Sequence, residues 1–385
     1  FGASIWQMFK WLKSPFKSII KMALLEKYIA SYGKELLLCN QYKNEWMNSG
    51  IHLKVAQNDS YIILLNHLLA FYAKTGDEKS KNLILTCFFL KLAVSKKSTV
   101  DATPLGLRKI LLEKCLADWS WEEAKLFDIG KFREWKYAWV YRLSTTLEKY
   151  MVAKYNKVKQ EFKSRSQGLM ISRSDRTVLE RKVQIEFQDK PFKIKKLLLV
   201  SRSHRHFPRL HIRYCKDPSA LGRWELLYSD SKTDKSDAEP LVRSDAIEEI
   251  GAWMINNRLF TDRTVISLVP NPTPITHNDI QRLYDAMKEF FAEGLNRTTR
   301  FEELERTDPV ILSMFVSLNF YNRHLKGRIA DYCAVYLNAW GEMFFRTNEI
   351  GKSFPDLDQA KKDMLSRVGL KSFPLNTQFY FARGG

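Results

Sequence analysis

The spacing of the apolar residues changes part-way along the chain, and that change limits the folds open to it. Over about the first 165 residues, apolar positions recur every three or four, the period of an amphipathic helix. Ser14 followed by Pro15 reads as a cap and first helical residue, with Gly33 as a stop. Asp59 or Ser60 opens a second helix, with Leu65, Leu68, Leu69 and Tyr72 on one face. Gly76 and Asp77 read as a stop and a new cap, followed by a helix burying Leu83, Cys87 and Leu90. Further helices are expected over Leu105 to Lys125 and Trp135 to Lys163.

The stretch from Ser164 to Ser174 loosens into Ser, Arg and Gly and marks a domain boundary. One more helix is expected from Asp175 to Phe187, and then the period shortens. Lys196 to Val200, Arg209 to Arg213 and Arg223 to Tyr228 are β-prone runs, and Ser229 to Pro240 is a polar loop. Helices return at Ser244 to Asn257, Thr276 to Glu293 and Pro355 to Val368. Between and after them, Thr264 to Val269, Ile311 to Phe320, Tyr332 to Leu337, Glu342 to Arg346 and Gln378 to Phe381 read as strands. The predicted class is α+β, with an N-terminal helical bundle over 1–165 and a mixed α+β domain over 166–385, subdivided near 230–240. No internal repeat is evident.

With 45% apolar and 27% charged residues among 385, the chain has the composition of a globular protein. The longest uncharged stretches, Ser60 to Ala73 and Pro309 to Asn322, fall short of the roughly 18 residues that span a bilayer. Phe1 to Ile29 is aromatic and Lys-rich, as a presequence or a membrane-surface helix would be. Pro15 and Glu26 favour a packed helix instead. The absence of an initiator Met points to a start inside a larger protein or to a trimmed chain. Cys39, Cys87, Cys115, Cys215 and Cys333 have neither disulfide nor zinc spacing and suit reduced thiols in the cytoplasm.

The net charge of +19 is concentrated between Lys131 and Arg213, where 22 Lys and Arg face seven Asp and Glu. Such a belt attracts polyanions or is a solvated helix surface. A nucleic-acid-binding protein would use it with Trp135, Tyr137, Trp139 and Tyr141 as stacking groups. Trp119 and Trp121 admit the same reading, although bundle core explains them more simply.

Three weaker constellations remain. His204, His206 and His211 alternate along a β-prone stretch, but Arg202, Arg205 and Arg209 are interleaved and oppose a metal cation. Asp356-Leu357-Asp358 has the Asp-x-Asp form that holds divalent ions, in the context of an acidic first helical turn. Lys190, Lys193, Lys195 and Lys196 suit either phosphate contact or protection of a sheet edge. Nucleotide-binding, hydrolase, zincin and EF-hand signatures are absent.

Phe1-Gly2-Ala3-Ser4-Ile5-Trp6-Gln7, continuing through Lys13 to Lys17 and Leu24-Leu25-Glu26, resembles the segment that follows the catalytic region of class I adenylate cyclases. Cys87 to Leu92, Trp119 to Leu126, Trp135-Lys136, Asp175 to Lys182 and Trp253 to Arg263 continue the resemblance in the same order, and it weakens after Thr276. The resemblance implies conversion of ATP to cyclic AMP and pyrophosphate in the cytoplasm, with Mg2+. It also implies regulation, here with an acidic or phosphotransfer-system protein as the expected partner, and makes nucleic acid an unlikely one. The family centre pairs a Gly-Ser turn with an Asp-x-Asp some ten residues later. This chain has no Gly-Ser, and Asp356 and Asp358 lie near its other end. The nucleotide motif is therefore expected before Phe1. No catalytic, cofactor-binding or metal-ligating residue is assigned, and the chain is expected to be the helical support and the start of the regulatory region.

Overall fold

The structure, a computed structural model, describes residues 15–31, 34–48, 60–92, 117, 119, 129, 137–165, 173–197, 209–215, 223–228, 240–322 and 327–381. It divides into two compact units, Phe1–Leu179 and Glu180–Gly385. The class is α+β, as the two apolar periods indicate, with helices first and strands later.

The first unit is built of helices. They are α1 (Pro15–Ala30), α2 (Leu38–Asn48), α3 (Ser60–Thr75), α4 (Glu78–Leu92), α5 (Tyr137–Arg165) and the first part of α6 (Arg173–Phe187). Pro15 opens α1 at the position where its missing N–H costs nothing. Gly76 adopts φ +71° between α3 and α4, and Asp77 then caps α4 by accepting from the Ser80 N–H at 3.0 Å. α1 packs against α3, α4 and α5, bringing Ile19, Met22, Leu68, Cys87, Phe88, Val140 and Leu147 into one core. Leu83 is only half-buried; its neighbour Ile84 takes the core position. α2 has no counterpart in the sequence reading because its polar run carries no apolar stripe. The helix expected over Leu105 to Lys125 lies almost wholly outside the described residues, as do Gly33 and the 229–239 loop.

The second unit holds two four-stranded mixed sheets. β1 (Arg209–Tyr214), β2 (Trp224–Leu227), β3 (Val242–Ser244) and β4 (Val265–Leu268) stand in the order β3-β2-β1-β4. β5 (Ile311–Leu318), β6 (Tyr332–Asn338), β7 (Met343–Thr347) and β8 (Asn376–Phe381) stand in the order β7-β6-β5-β8. In each, three consecutive strands form an antiparallel meander, and a helix then carries the chain to a strand parallel to the first. That helix is α7 (Ile247–Asn256) in the first sheet and α10 (Leu357–Val368) in the second; α8 (His277–Asn296) and the short α9 (Phe301–Glu305) lie between. The chain path thus runs through a βββαβ order twice, with no repeat in the sequence itself.

Sheet two is covered on both faces. Met314, Val316, Tyr332 and Ala334 meet Ala360 and Met364 of α10, while Phe315 meets Phe290 and Phe291 of α8. α8 starts in a reciprocal capping box between Thr276 and Asp279 and buries Ile280, Leu283, Tyr284, Met287 and Phe291 at helical spacing. At Gly251 a Cβ would run into the Tyr284 ring, so the glycine is what lets α7 and α8 approach.

Two boundaries differ from expectation. Ser244 ends a strand and does not begin a helix, since Val242–Ser244 is too short a run to show a period. Lys196 and Leu197 form no strand; the Asn257 side chain instead accepts from the Leu197 N–H at 2.6 Å and donates to the Lys195 carbonyl at 2.9 Å, as a neighbouring strand would.

The β7 edge is closed by the chain leaving α6. The Ile194 N–H bonds to the Met343 carbonyl at 2.8 Å and the Phe345 N–H to the Phe192 carbonyl at 3.1 Å. Lys190 and Lys193 reach the buried Glu342 carboxylate at 2.7 and 3.0 Å, and the Arg181 guanidinium lies 4.3 Å from the Trp340 ring centroid. Lys190 and Lys193 thus hold the closing segment beside the β7 edge by pairing with Glu342. Replacing Lys190 and Lys193 by Met strands a carboxylate with 1% side-chain exposure. The double variant should lose about 3–5 kcal/mol in urea unfolding, and adding Glu342→Gln should recover much of it.

Candidate functional site

In the first unit, chemistry-bearing side chains gather around Glu26 of α1. Its carboxylate, 4% exposed, accepts from Tyr72 of α3 at 2.7 Å and pairs with Lys154 and Lys157 of α5 at 3.0 and 2.9 Å. The Tyr72 and Tyr150 hydroxyls are 3.0 Å apart, and the Lys154 ammonium lies 5.4 Å from each ring centroid. Lys154 also reaches Asp77 at 3.1 Å. Burial alone would raise the Glu26 pKa. The hydrogen bonds from Lys157, Tyr72 and Lys154 outweigh it and hold the carboxyl below its usual range. Burial pushes both phenols up, so neither ionises near neutrality. The centre joins four helices and is a lock more than a reaction site.

The second unit holds a cleft of about 230 Å³ between the two repeats. One wall comes from Arg223 and the β3–α7 corner at Asp245, Ala246 and Glu248; the other from Tyr321, Asp331 and the chain leaving β7. It lies at the carboxyl ends of β1 and β5, the strands to which β4 and β8 run parallel, a place where ligands bind in mixed and parallel sheets. The Tyr321 hydroxyl accepts from the Ile247 N–H at 2.7 Å and donates to Glu248 at 3.0 Å. Asp331 accepts from the Phe320 N–H at 2.8 Å and the Asn322 amide at 2.9 Å. Burial, with the Asp331 charge adding to it, pushes the Glu248 carboxyl up to about 7. Glu249, bonded to Ser244, rises to about 7 through burial, and burial also raises Asp331.

The sequence candidates do not converge here. His204 and His206 lie outside the described residues, while His211 is a buried residue of β1. Asp356 caps α10 by accepting from the Gln359 N–H at 2.8 Å, and Asp358 is 84% exposed beside Lys361 at 3.6 Å. They point to different tasks, so the pair does not suit a divalent ion. Among the described residues, no group of three His, Cys, Asp or Glu is arranged to hold a metal. Trp119 packs edge-on against Phe88 at 6.2 Å, as bundle core does. Trp121, Trp135 and the Tyr137 side chain lie outside the described residues. Neither the Glu26 centre nor the cleft was visible in the sequence, because each assembles residues far apart along it.

Comparison with known proteins decides the family. A family model described as adenylate cyclase, class-I, second domain, matches residues 1–198, more than half of the chain. The chain belongs to the class-I adenylate cyclase family. It is 26% identical over 273 residues to an adenylate cyclase of Escherichia coli K12, covering 70% of this chain and 32% of that protein. The figures are 25% over 268 residues, 69% and 31% for one of Yersinia intermedia, and 23% over 286, 70% and 33% for one of Pasteurella multocida. The chain therefore spans about a third of the length of these curated cyclases. No solved structure matches it. The second-domain match covers the helical unit and continues through the 180–197 stretch that closes the β7 edge. No helix among the described residues is long and apolar enough to cross a membrane.

The carboxyls at the cleft make the stability of this cyclase-family chain pH-dependent. A carboxyl whose pKa is about 7 when folded and roughly 4.3 when unfolded stabilises fully below the lower value, and that contribution is lost as pH rises towards the upper one. The unfolding free energy from urea titration should fall between pH 5 and 8, by roughly 3 kcal/mol for Glu248 alone. Glu248→Gln should flatten this slope and unfold later than the parent at pH 8.

Proposed function

We propose that this chain is the helical support and the start of the regulatory region of a class-I adenylate cyclase. The intact enzyme converts ATP to cyclic AMP and pyrophosphate with Mg2+ in the cytoplasm, and its nucleotide chemistry lies in sequence preceding this chain. The observation that carries the reading is the second-domain match over residues 1–198. The lack of any Gly-Ser dipeptide, and the separate employments of Asp356 and Asp358, agree with it. In this reading Glu26, Tyr72, Lys154 and Lys157 keep α1, α3 and α5 in one register, so that the helical unit can brace the catalytic part. The second unit takes the regulatory signal from an acidic or phosphotransfer-system protein.

The nucleic-acid reading loses support, because Lys154, Lys157, Arg181, Lys190, Lys193 and Arg213 of the basic belt are engaged within the fold. Cyclic AMP production from Mg-ATP tests the proposal. The 385-residue chain should be inactive, and a longer protein with the preceding sequence should be active and lose activity on Glu26→Ala. Activity in the short chain, or none in the longer one, would overturn it.

A further inference from the structure

Each sheet of the second unit ends in two edge strands, and an edge strand presents N–H and C=O groups that pair with another chain unless something prevents it. Three of the four edges are guarded. The 192–194 stretch covers β7 through backbone hydrogen bonds. β3 is three residues long and carries Arg243, which pairs with Glu225 at 2.8 Å. β4 is four residues long, with Arg263 before it and Pro270 and Pro272 after it.

β8 is the exception. It runs for six residues, pairs with β5 along its whole length without a bulge, and has no described strand on its other side. Residues 372–382 contain no charged side chain, and β8 contains neither Pro nor Gly. Leu375, just before the strand, is fully exposed, and Phe381, at its end, is more than half exposed. Such an edge is a template for a further strand.

We propose that β8 pairs antiparallel with β8 of a second copy of this chain, joining two four-stranded sheets into one. Two observations select a second copy. First, a two-fold axis perpendicular to the sheet keeps each face on its own side, so it pairs positions of like parity, and the strand is self-complementary in the register centred on Gln378. There Leu375 meets Phe381 of the second copy, Thr377 meets Phe379, Asn376 meets Tyr380, and the two Gln378 amides face each other. Second, charge favours a neutral partner. A strongly acidic or basic strand finds no counter-charge along residues 372–382. Over 240–385, 18 Lys and Arg balance 18 Asp and Glu, so the positive excess of the chain lies wholly in 1–239 and away from this part of the sequence. Each copy offers one such edge among the described strands, so pairing closes at two. The pairing is independent of the cyclase reading.

Sedimentation velocity of the 385-residue chain over a range of concentrations tests it, and a reversible monomer–dimer equilibrium is expected. Gln378 is exposed, so the fold should bear Gln378→Lys and Gln378→Glu, which urea unfolding verifies. Each variant sets like charges face to face and should weaken the dimer at least tenfold. Mixed in equal amounts, the two should dimerise at least tenfold more tightly than either alone, an outcome that requires position 378 to meet its own counterpart. If either variant does not fold, hydrogen exchange on the parent chain decides: the amides of 376–381 should gain protection as concentration rises. A monomer at every concentration, which would leave the edge to a strand of another protein, overturns the proposal. So do unweakened variants, a mixture no tighter than either alone, protection unchanged by concentration, or association that grows past two copies.

Discussion

A carboxylate taken out of water costs several kcal/mol unless cations and hydrogen bonds replace the solvent, and this chain solves that problem the same way three times. Glu26, Glu225 and Glu342 are each gripped by two basic side chains. Five of those six cations come from the segment that gives the sequence its positive excess. The segment is thus partly directed inward. Around Glu26 it ties α5 to α1 and α3, around Glu342 it seals the β7 edge, and around Glu225 its Arg213 staples β1 to β2. The two compact units hold their elements in register by the same means.

The repeated βββαβ path gives the second unit its other constraint. Two like corners meet between the sheets, where Glu248 and Asp331 stand beside the rim residues Arg223 and Asp245. Tyr321 shows how tightly the corner is joined, since its single hydroxyl bonds both the Ile247 N–H and Glu248 on α7. Carboxyls that are neutral at low pH and charged at high pH make this corner the place where the unit's stability follows its surroundings.

Features that depend on neighbours in sequence were readable. Pro15 and the Gly76–Asp77 stop and cap act over a few residues, and the β5, β6 and β8 runs are strongly β-prone. Partners distant in sequence were not: Glu26 and Lys154 are 128 positions apart, and Lys190 and Glu342 are 152 apart. Charge counted along the chain therefore suggested an outward field where part of it is paired inward. The repeat was hidden because its two copies share a path and not a residue pattern, and β3 was too short to show a period. The family was legible from the first helices, where the resemblance is densest. The cleft was not, because no local motif marks it.

The central claim is that the basic segment stabilises the fold by meeting buried glutamates. A double-mutant cycle on Glu26→Gln and Lys154→Met, read by urea unfolding of the full chain, tests it most directly. The structure predicts a coupling of about 2 kcal/mol or more, little changed by added salt, since Lys154 is 13% and Glu26 4% exposed. A coupling below about 0.5 kcal/mol, of the size found for exposed pairs, would contradict it.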